Sequence, residues 1–203
     1  GLPIAHSASP RMHQPALDSH GIDARYIRLE VEPGRIPDAF ARMRELGFVG
    51  CNVTVPHKLD ALVNCTEVDP NARKLGAVNT VRFDPDATRG YNTDGPGFAR
   101  AVECDFGKPL ASFKVAIAGA GGGAGQAIAT QCVLLGVGKL VLVNRTVAKL
   151  DELVGRLRAL GAATEIVPLS FEEAALAEQC QSCGLIVNTS SVGLKAGDPP
   201  ILP

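Results

Sequence analysis

Phe113-Lys114-Val115-Ala116-Ile117-Ala118-Gly119-Ala120-Gly121-Gly122-Gly123-Ala124-Gly125 decides the fold of this chain. Five of its first six residues are small or apolar and the run reads as a buried strand, and Gln126 to Leu135 continues the stretch as a helix. A strand that runs through a glycine-rich turn into a helix is the first βα turn of a dinucleotide-binding unit. The glycines let the backbone approach a pyrophosphate, and the helix N-terminus offers its free N–H groups to it. The next strand, Lys139 to Val143, arrives at the distance such a unit needs, which makes Gly119, Gly121, Gly122, Gly123 and Ala124 candidate cofactor-loop residues.

What ends that second strand selects the cofactor. An Asp or Glu there would take the ribose hydroxyls of NAD, but the chain carries Asn144-Arg145-Thr146, with Lys149 one turn further on. A guanidinium can pair bidentately with a 2′-phosphate that a carboxylate would repel, so NADP is expected. Beyond it the sequence predicts a helix from Val147 to about Leu160, a strand from Thr164 to Val167, a helical stretch from Glu172 to Gln179 and a strand Leu185-Ile186-Val187. That last strand runs into the polar turn Asn188 to Leu194, whose place at a strand's carboxyl end suits contacts on the nicotinamide side. Ser190 is the candidate there.

Before Phe106 the same alternation of strands and helices predicts a second sheet. The expected elements are a helix from Pro10 to about Ser19 with Ser9 as N-cap, a strand from Ala24 to Val31, a helix from about Ile36 to Leu46 and a strand from Phe48 to Val55. Pro56 then suits the first position of a helix, which places Lys58 in that helix's first turn. The partial positive charge of a helix end favours the neutral amine, and a lysine so placed can act as a proton carrier. Gly90-Tyr91-Asn92-Thr93-Asp94-Gly95 offers a carboxylate at a second strand-to-helix junction. Lys58 and Asp94 are the candidate catalytic pair, and Ser7, with no capping duty, is left to face a ligand. The fold class expected is α/β: an N-terminal, mostly parallel open-sheet domain plus a Rossmann-type dinucleotide-binding domain.

Composition narrows the partners. The 203 residues carry a net charge of -1 with the basic residues scattered, which gives no footprint for nucleic acid and points to a small-molecule substrate. No apolar run reaches the roughly 20 residues of a membrane span, and the first residues lack a signal-peptide plan, so a cytoplasmic protein without membrane contact is expected. The six cysteines read as reduced and mostly buried. Cys180-x-x-Cys183 lies between a helical stretch and a strand instead of at the mouth of a βα turn, which speaks against a redox role.

Six separated motifs follow one another in a fixed order: Pro3-Ile4-x-His6-Ser7-x-Ser9-Pro10; Asn52-Val53-Thr54-x-Pro56-x-Lys58; Gly76-Ala77-Val78-Asn79-Thr80; Gly90 to Gly95; the glycine loop with Asn144-Arg145-Thr146; and Asn188-x-Ser190-Ser191-x-Gly193. Together they resemble the shikimate dehydrogenase family over essentially the whole chain. The resemblance implies NADP-linked reversible reduction of 3-dehydroshikimate to shikimate in aromatic amino-acid biosynthesis, without a metal, by a monomer or homodimer. By motif position it implies Ser7 and Ser9 as ligands of the substrate carboxylate, Thr54, Asn79 and Asp94 as hydroxyl contacts, and Lys58 with Asp94 as the proton relay.

On this pattern residues 1–105 form a substrate-binding and catalytic α/β domain, and residues 106–203 an NADP-binding Rossmann-type domain. The sequence departs from the family pattern at Gln14, where an asparagine is usual, and at Gly123, where an alanine is common. The family's first strand and its C-terminal segment have no counterpart in residues 1–203. Two alternatives stay open: a quinate/shikimate dehydrogenase of broader range, and a non-catalytic sensor of nucleotide and polyol acid, against which the intact Lys58 and Asp94 argue.

Overall fold

The computed structural model describes residues 1–161, 163–172, 174–193 and 196–201. The chain forms two compact units, Gly1–Ala72 with Ala77–Tyr91, and Arg73–Gly76 with the chain from Asn92 onward. The domain limit expected at 105/106 rests on the order of the motifs. The compact units part earlier, after Tyr91, because the helix that starts at Asp94 sends Val102 into the second unit's core.

The first unit contains α1 (Ser9–Ser19), α2 (Ile36–Glu45), β1 (Gly50–Asn52), α3 (Lys58–Asn64), β2 (Glu67–Val68), the first half of α4 (Pro70–Leu75), β3 (Thr80–Phe83) and β4 (Thr88–Tyr91). In α2, Ile36, Phe40 and Met43 fall on one stripe at helical spacing, and all three are buried. The helix stops where Gly47 takes φ +75°, and Phe48 N–H reaches back to the Met43 carbonyl at 2.9 Å. Ile36 and Phe40 join Val53, Ala61, Ala72, Val78 and Val81 in this unit's core.

Its sheet has the order β1-β3-β4-β2. The expectation of a mostly parallel sheet is corrected here: β1/β3 and β3/β4 pair antiparallel, and only β2/β4 pair parallel. The reason is local, since the short turn from Asp84 to Ala87 can only return the chain as a hairpin. Arg89 reinforces it through ion pairs to Asp84, Asp86 and Glu67. The alternating segment Ala24 to Val31 is not a strand, because alternation suits an extended chain but only a ladder partner makes it one. Its end is held by the buried His57, whose Nε2–H donates to the Val31 carbonyl at 2.8 Å.

In the second unit α5 (Asp94–Phe106) leads through a short 3₁₀ turn to β5 (Val115–Ala118), α6 (Gly123–Leu134), β6 (Lys139–Val143), α7 (Ala148–Ala159), β7 (Glu165–Leu169), α8 (Leu176–Gln181) and β8 (Leu185–Asn188). The sheet order is β7-β6-β5-β8, and every pair is parallel. This is the expected Rossmann-type arrangement. Val115, Ile117, Leu140 and Leu142 face one core with Val133, Leu150, Leu153 and Leu157. Ala116, Val141 and Val143 face another with Leu169, Leu176 and Cys180. Burial on both faces is why β5 and β6 read as continuous apolar runs. Glu173 of the expected 172–179 helix and Leu194 of the polar turn lie outside the described residues. No helix among the described residues is long and apolar enough to cross a membrane.

Candidate active site

In the second unit, the glycine loop joins β5 to α6 at the carboxyl end of the sheet. Gly119 takes φ +84°, and a Cβ on it would lie 3.0 Å from the Ser190 nitrogen, which places Ser190 beside the loop's first glycine. Ser190 is held there by its own N–H and Oγ, which donate to Asn188 Oδ1 at 2.9 and 2.8 Å. A Cβ on Gly121 would collide with the Asn144 side chain, whose Oδ1 accepts the Gly121 N–H at 3.3 Å. Gly125 is the most confined, with Ala120 Cα and the Gly119 carbonyl both 2.7 Å from where its Cβ would be. The sequence reading left Gly125 out of the loop's functional set, although its place in the glycine run was the signal. Gly123, the departure from the family pattern, has open space around it, so an alanine would fit as well.

Beyond β6, Asn144 turns the chain by donating Nδ2–H to the Thr146 carbonyl at 2.8 Å. Arg145, Thr146 and Lys149 are exposed around the start of α7, where a phosphate could meet the two cationic side chains. The cradle that only glycine fills, together with this cationic end, fits a dinucleotide.

In the first unit, the candidate substrate residues are gathered by a chain of side-chain hydrogen bonds. Ser7 Oγ donates to Ser9 Oγ at 3.1 Å, and the Ser9 hydroxyl lies near enough to the Tyr26 phenol to act on its ionisation. Tyr26 donates to Asn52 Oδ1 at 2.7 Å, Asn52 Nδ2 donates to Thr80 Oγ1 at 3.2 Å, and Thr80 donates to Asn79 Oδ1 at 2.9 Å. Burial pushes the Tyr26 phenol above its ordinary range, with the Ser9 hydroxyl pulling the other way. Its ring stacks on His13 at 4.6 Å, and its N–H donates to Gln14 Oε1 at 2.9 Å. Gln14, the other departure, thus holds the Tyr26 backbone.

Backbone bonds bring the remaining candidates to the same strand ends. Val53 N–H donates to the Asn79 carbonyl at 2.7 Å, which leaves Thr54 just past the β1/β3 pairing. Val78 N–H donates to the Lys58 carbonyl at 3.1 Å, which sets the first residue of α3 beside Asn79. Two local expectations are corrected. Pro56 does not begin α3 but lies in a turn closed by His57 N–H on the Thr54 carbonyl at 2.9 Å, with Lys58 as the first helical residue. Ser9 is not an N-cap but the first residue of α1, and the hydroxyl that accepts its N–H is that of Ser7, at 3.3 Å. Asp94 opens α5, with its N–H on Asn92 Oδ1 at 2.9 Å, and belongs to the second unit.

Tyr26, Asn52, Thr80 and His57 were not singled out from the sequence. Asn52 could have been, since two-residue alternation puts it on the same face as Thr54. Tyr26 and His57 left no such signal. The cysteines are free thiols. Burial pushes Cys51 and Cys132 up to about 12 and Cys65 up to about 11, which keeps them protonated and unreactive at neutral pH. Cys180 and Cys183 are also raised by burial.

Fold and site define an α/β protein with a polar, side-chain-built cluster in one unit and a dinucleotide cradle in the other. The model of the shikimate dehydrogenase substrate binding domain matches residues 1–81. The shikimate dehydrogenase (NADP(+)) of Moorella thermoacetica is 39% identical over 194 residues, which are 96% of this chain and 65% of that protein. The shikimate 5-dehydrogenase of Listeria monocytogenes, solved in complex with shikimate and NAD, superposes with TM-score 0.89 at 30% identity, covering 100% of this chain and 71% of that one. The Thermus thermophilus enzyme, in complex with NADP(H) and shikimate, does so with TM-score 0.83 at 33% identity, over 100% and 71%. The chain belongs to the shikimate dehydrogenase family.

Proposed function

We propose that the protein is an NADP-dependent oxidoreductase that reversibly reduces 3-dehydroshikimate to shikimate, in the cytoplasm, as a step of aromatic amino-acid biosynthesis. The observation that carries this reading is the row of hydroxyls and amides formed by the bonded Ser7 and Ser9 and by the chain Tyr26–Asn52–Thr80–Asn79, suited to the carboxylate and ring hydroxyls of a small polyol acid. The names and bound ligands of the relatives support it, as does the glycine cradle with Arg145.

In this mechanism Ser7 and Ser9 hold the substrate carboxylate, while Thr54, Asn79 and Asp94 fix the ring hydroxyls, so that a single carbon is presented for reaction. Bound NADP supplies the hydride transfer. Lys58, oriented by Asp94, gives a proton to the carbonyl oxygen during reduction and takes it back during oxidation. Gly119, Gly121, Gly122, Gly123 and Ala124 face the pyrophosphate, Ser190 lies toward the nicotinamide, and Asn144, Arg145, Thr146 and Lys149 take the adenosine end with its 2′-phosphate.

The test is a four-way assay of the full-length protein with shikimate or quinate and NADP or NAD, following reduced nicotinamide by absorbance. Turnover fastest with shikimate and NADP is expected. Turnover fastest with quinate would shift the assignment to a quinate/shikimate dehydrogenase, and none in any combination would leave a sensor.

A further inference from the structure

We propose that Gln126 and Arg156 are positioning residues that hold the Gly121 peptide of the loop in place for the pyrophosphate; this rests on the reading of Gly119 to Gly125 as a dinucleotide loop. Gln126 lies in the first turn of α6, where its backbone N–H donates to the Gly122 carbonyl at 2.9 Å. Its side chain also turns back to the loop, with Nε2 donating to the Gly121 carbonyl at 3.0 Å. The amide's other end, Oε1, accepts from Nη2 of Arg156 on α7. On the opposite side, the Gly121 N–H is held by Asn144 Oδ1 at 3.3 Å. Both polar groups of one glycine residue are thus fixed by side chains from two different elements.

The physical reason for such a brace is the carbonyl. A glycine peptide rotates easily, and a carbonyl turned toward an anion repels it. Gln126 occupies that oxygen with a donor and so fixes the peptide's direction. Arg156 polarises the amide and strengthens the bond, as happens along a chain of hydrogen bonds. The guanidinium lies beside Gly76, with its Nη1 3.0 Å from where a Cβ on that glycine would be. Without this role Arg156 would be an ordinary exposed arginine, whose loss changes little.

The experiment titrates NADP and NAD into the full-length protein by calorimetry, for the wild type, Gln126→Ala, Gln126→Glu, Arg156→Ala and the double alanine variant. Each single alanine variant is expected to weaken both cofactors alike, by about three- to tenfold, the loss of one hydrogen bond's net contribution. Gln126→Glu should lose as much as Gln126→Ala, since a carboxylate keeps Arg156 but cannot donate to the Gly121 carbonyl. The double variant should be no weaker than Gln126→Ala alone, because the two residues act in series. Wild-type affinities in both single alanine variants would overturn the proposal. So would additive losses, or a loss confined to NADP, which would make Arg156 a direct phosphate ligand. A wild type that binds neither nucleotide would overturn the reading of the loop, and the brace with it.

Discussion

The two units build their binding groups from different parts of the chain. In the second unit the cradle is backbone: Gly119, Gly121 and Gly125 leave no room for a Cβ, and they bring the chain close to its neighbours where α6 starts. In the first unit the site is side chains, hydroxyls and amides from α1, the Tyr26 segment, β1 and β3 that satisfy one another. A backbone site is broken by adding one carbon and is indifferent to most side chains nearby. A side-chain site is the reverse, sensitive to each functional group and tolerant of backbone detail.

The largest effect expected is at Lys58. Lys58→Ala should lower kcat by roughly 10²-fold or more with little change in substrate affinity, as befits a group needed mainly in the transition state. Steady-state kinetics of the full-length protein decide it: an unchanged kcat with a raised KM would make Lys58 a binding residue.

Arg145→Ala should weaken NADP by about 1.5–3 kcal/mol through the lost charge-assisted pair, with NAD barely affected. Calorimetry with both cofactors separates this from the Gln126 and Arg156 variants, which should lose both alike. Equal losses at Arg145 would mean that it touches only the shared part of the dinucleotide.

Gly125→Ala sharpens the comparison directly. The new methyl meets backbone atoms that cannot swing away, and overpacking of that kind costs about 1–3 kcal/mol. Gly123→Ala, two residues earlier and in open space, should be neutral or slightly stabilising. Thermal melts of the two variants measure the difference, and equal melting temperatures would show that the loop is not confined at Gly125.

In the side-chain site, Tyr26→Phe keeps the ring on His13 but removes the donor to Asn52, for a loss of about 0.5–1.5 kcal/mol. Urea unfolding should register this, and KM for the polyol acid should rise modestly while nucleotide affinity stays put. A variant with unchanged stability and KM would show that the chain from Ser9 to Asn52 is not coupled through the phenol.

A further effect is alkaline and common to both units. Cys51 and Cys132 are each pushed up to about 12 by burial from an ordinary 9.0, so above the ordinary value the unfolded chain has lost protons that the folded one keeps. Stability fully present below that value is therefore lost as pH rises from 9.0 toward about 12. The urea midpoint should be lower at about pH 10 than at about pH 8, and Cys51→Ser should reduce the difference. Identical midpoints would mean that these thiols are open to solvent.

The same contrast explains what could be read in advance. The second unit's parallel sheet was legible because its strands are apolar throughout, its loop is glycine-rich and its connections are helices, all local signals. The first unit was legible in its helices but not in its pairing. β1 has only three residues and β2 two, too short for a pattern, and Ala24 to Val31 alternates like a strand without a ladder. Its motif residues Ser7, Ser9, Thr54, Lys58 and Asn79 could be named, yet nothing in the sequence linked them through Tyr26.

By itself, then, the sequence determined the α/β class, the glycine cradle, the cationic end of β6 and the residues that mark the family. These depend on local spacing, which a chain carries within a few residues. Only the tertiary structure decided the mixed pairing of the first sheet, the N-terminal serine relay through Tyr26 and Asn52, the confinement of Gly125, and the chain from Arg156 through Gln126 to Gly121. Each of those joins groups that are distant in sequence or depends on which neighbour a side chain meets, and such meetings exist only once the cores have closed.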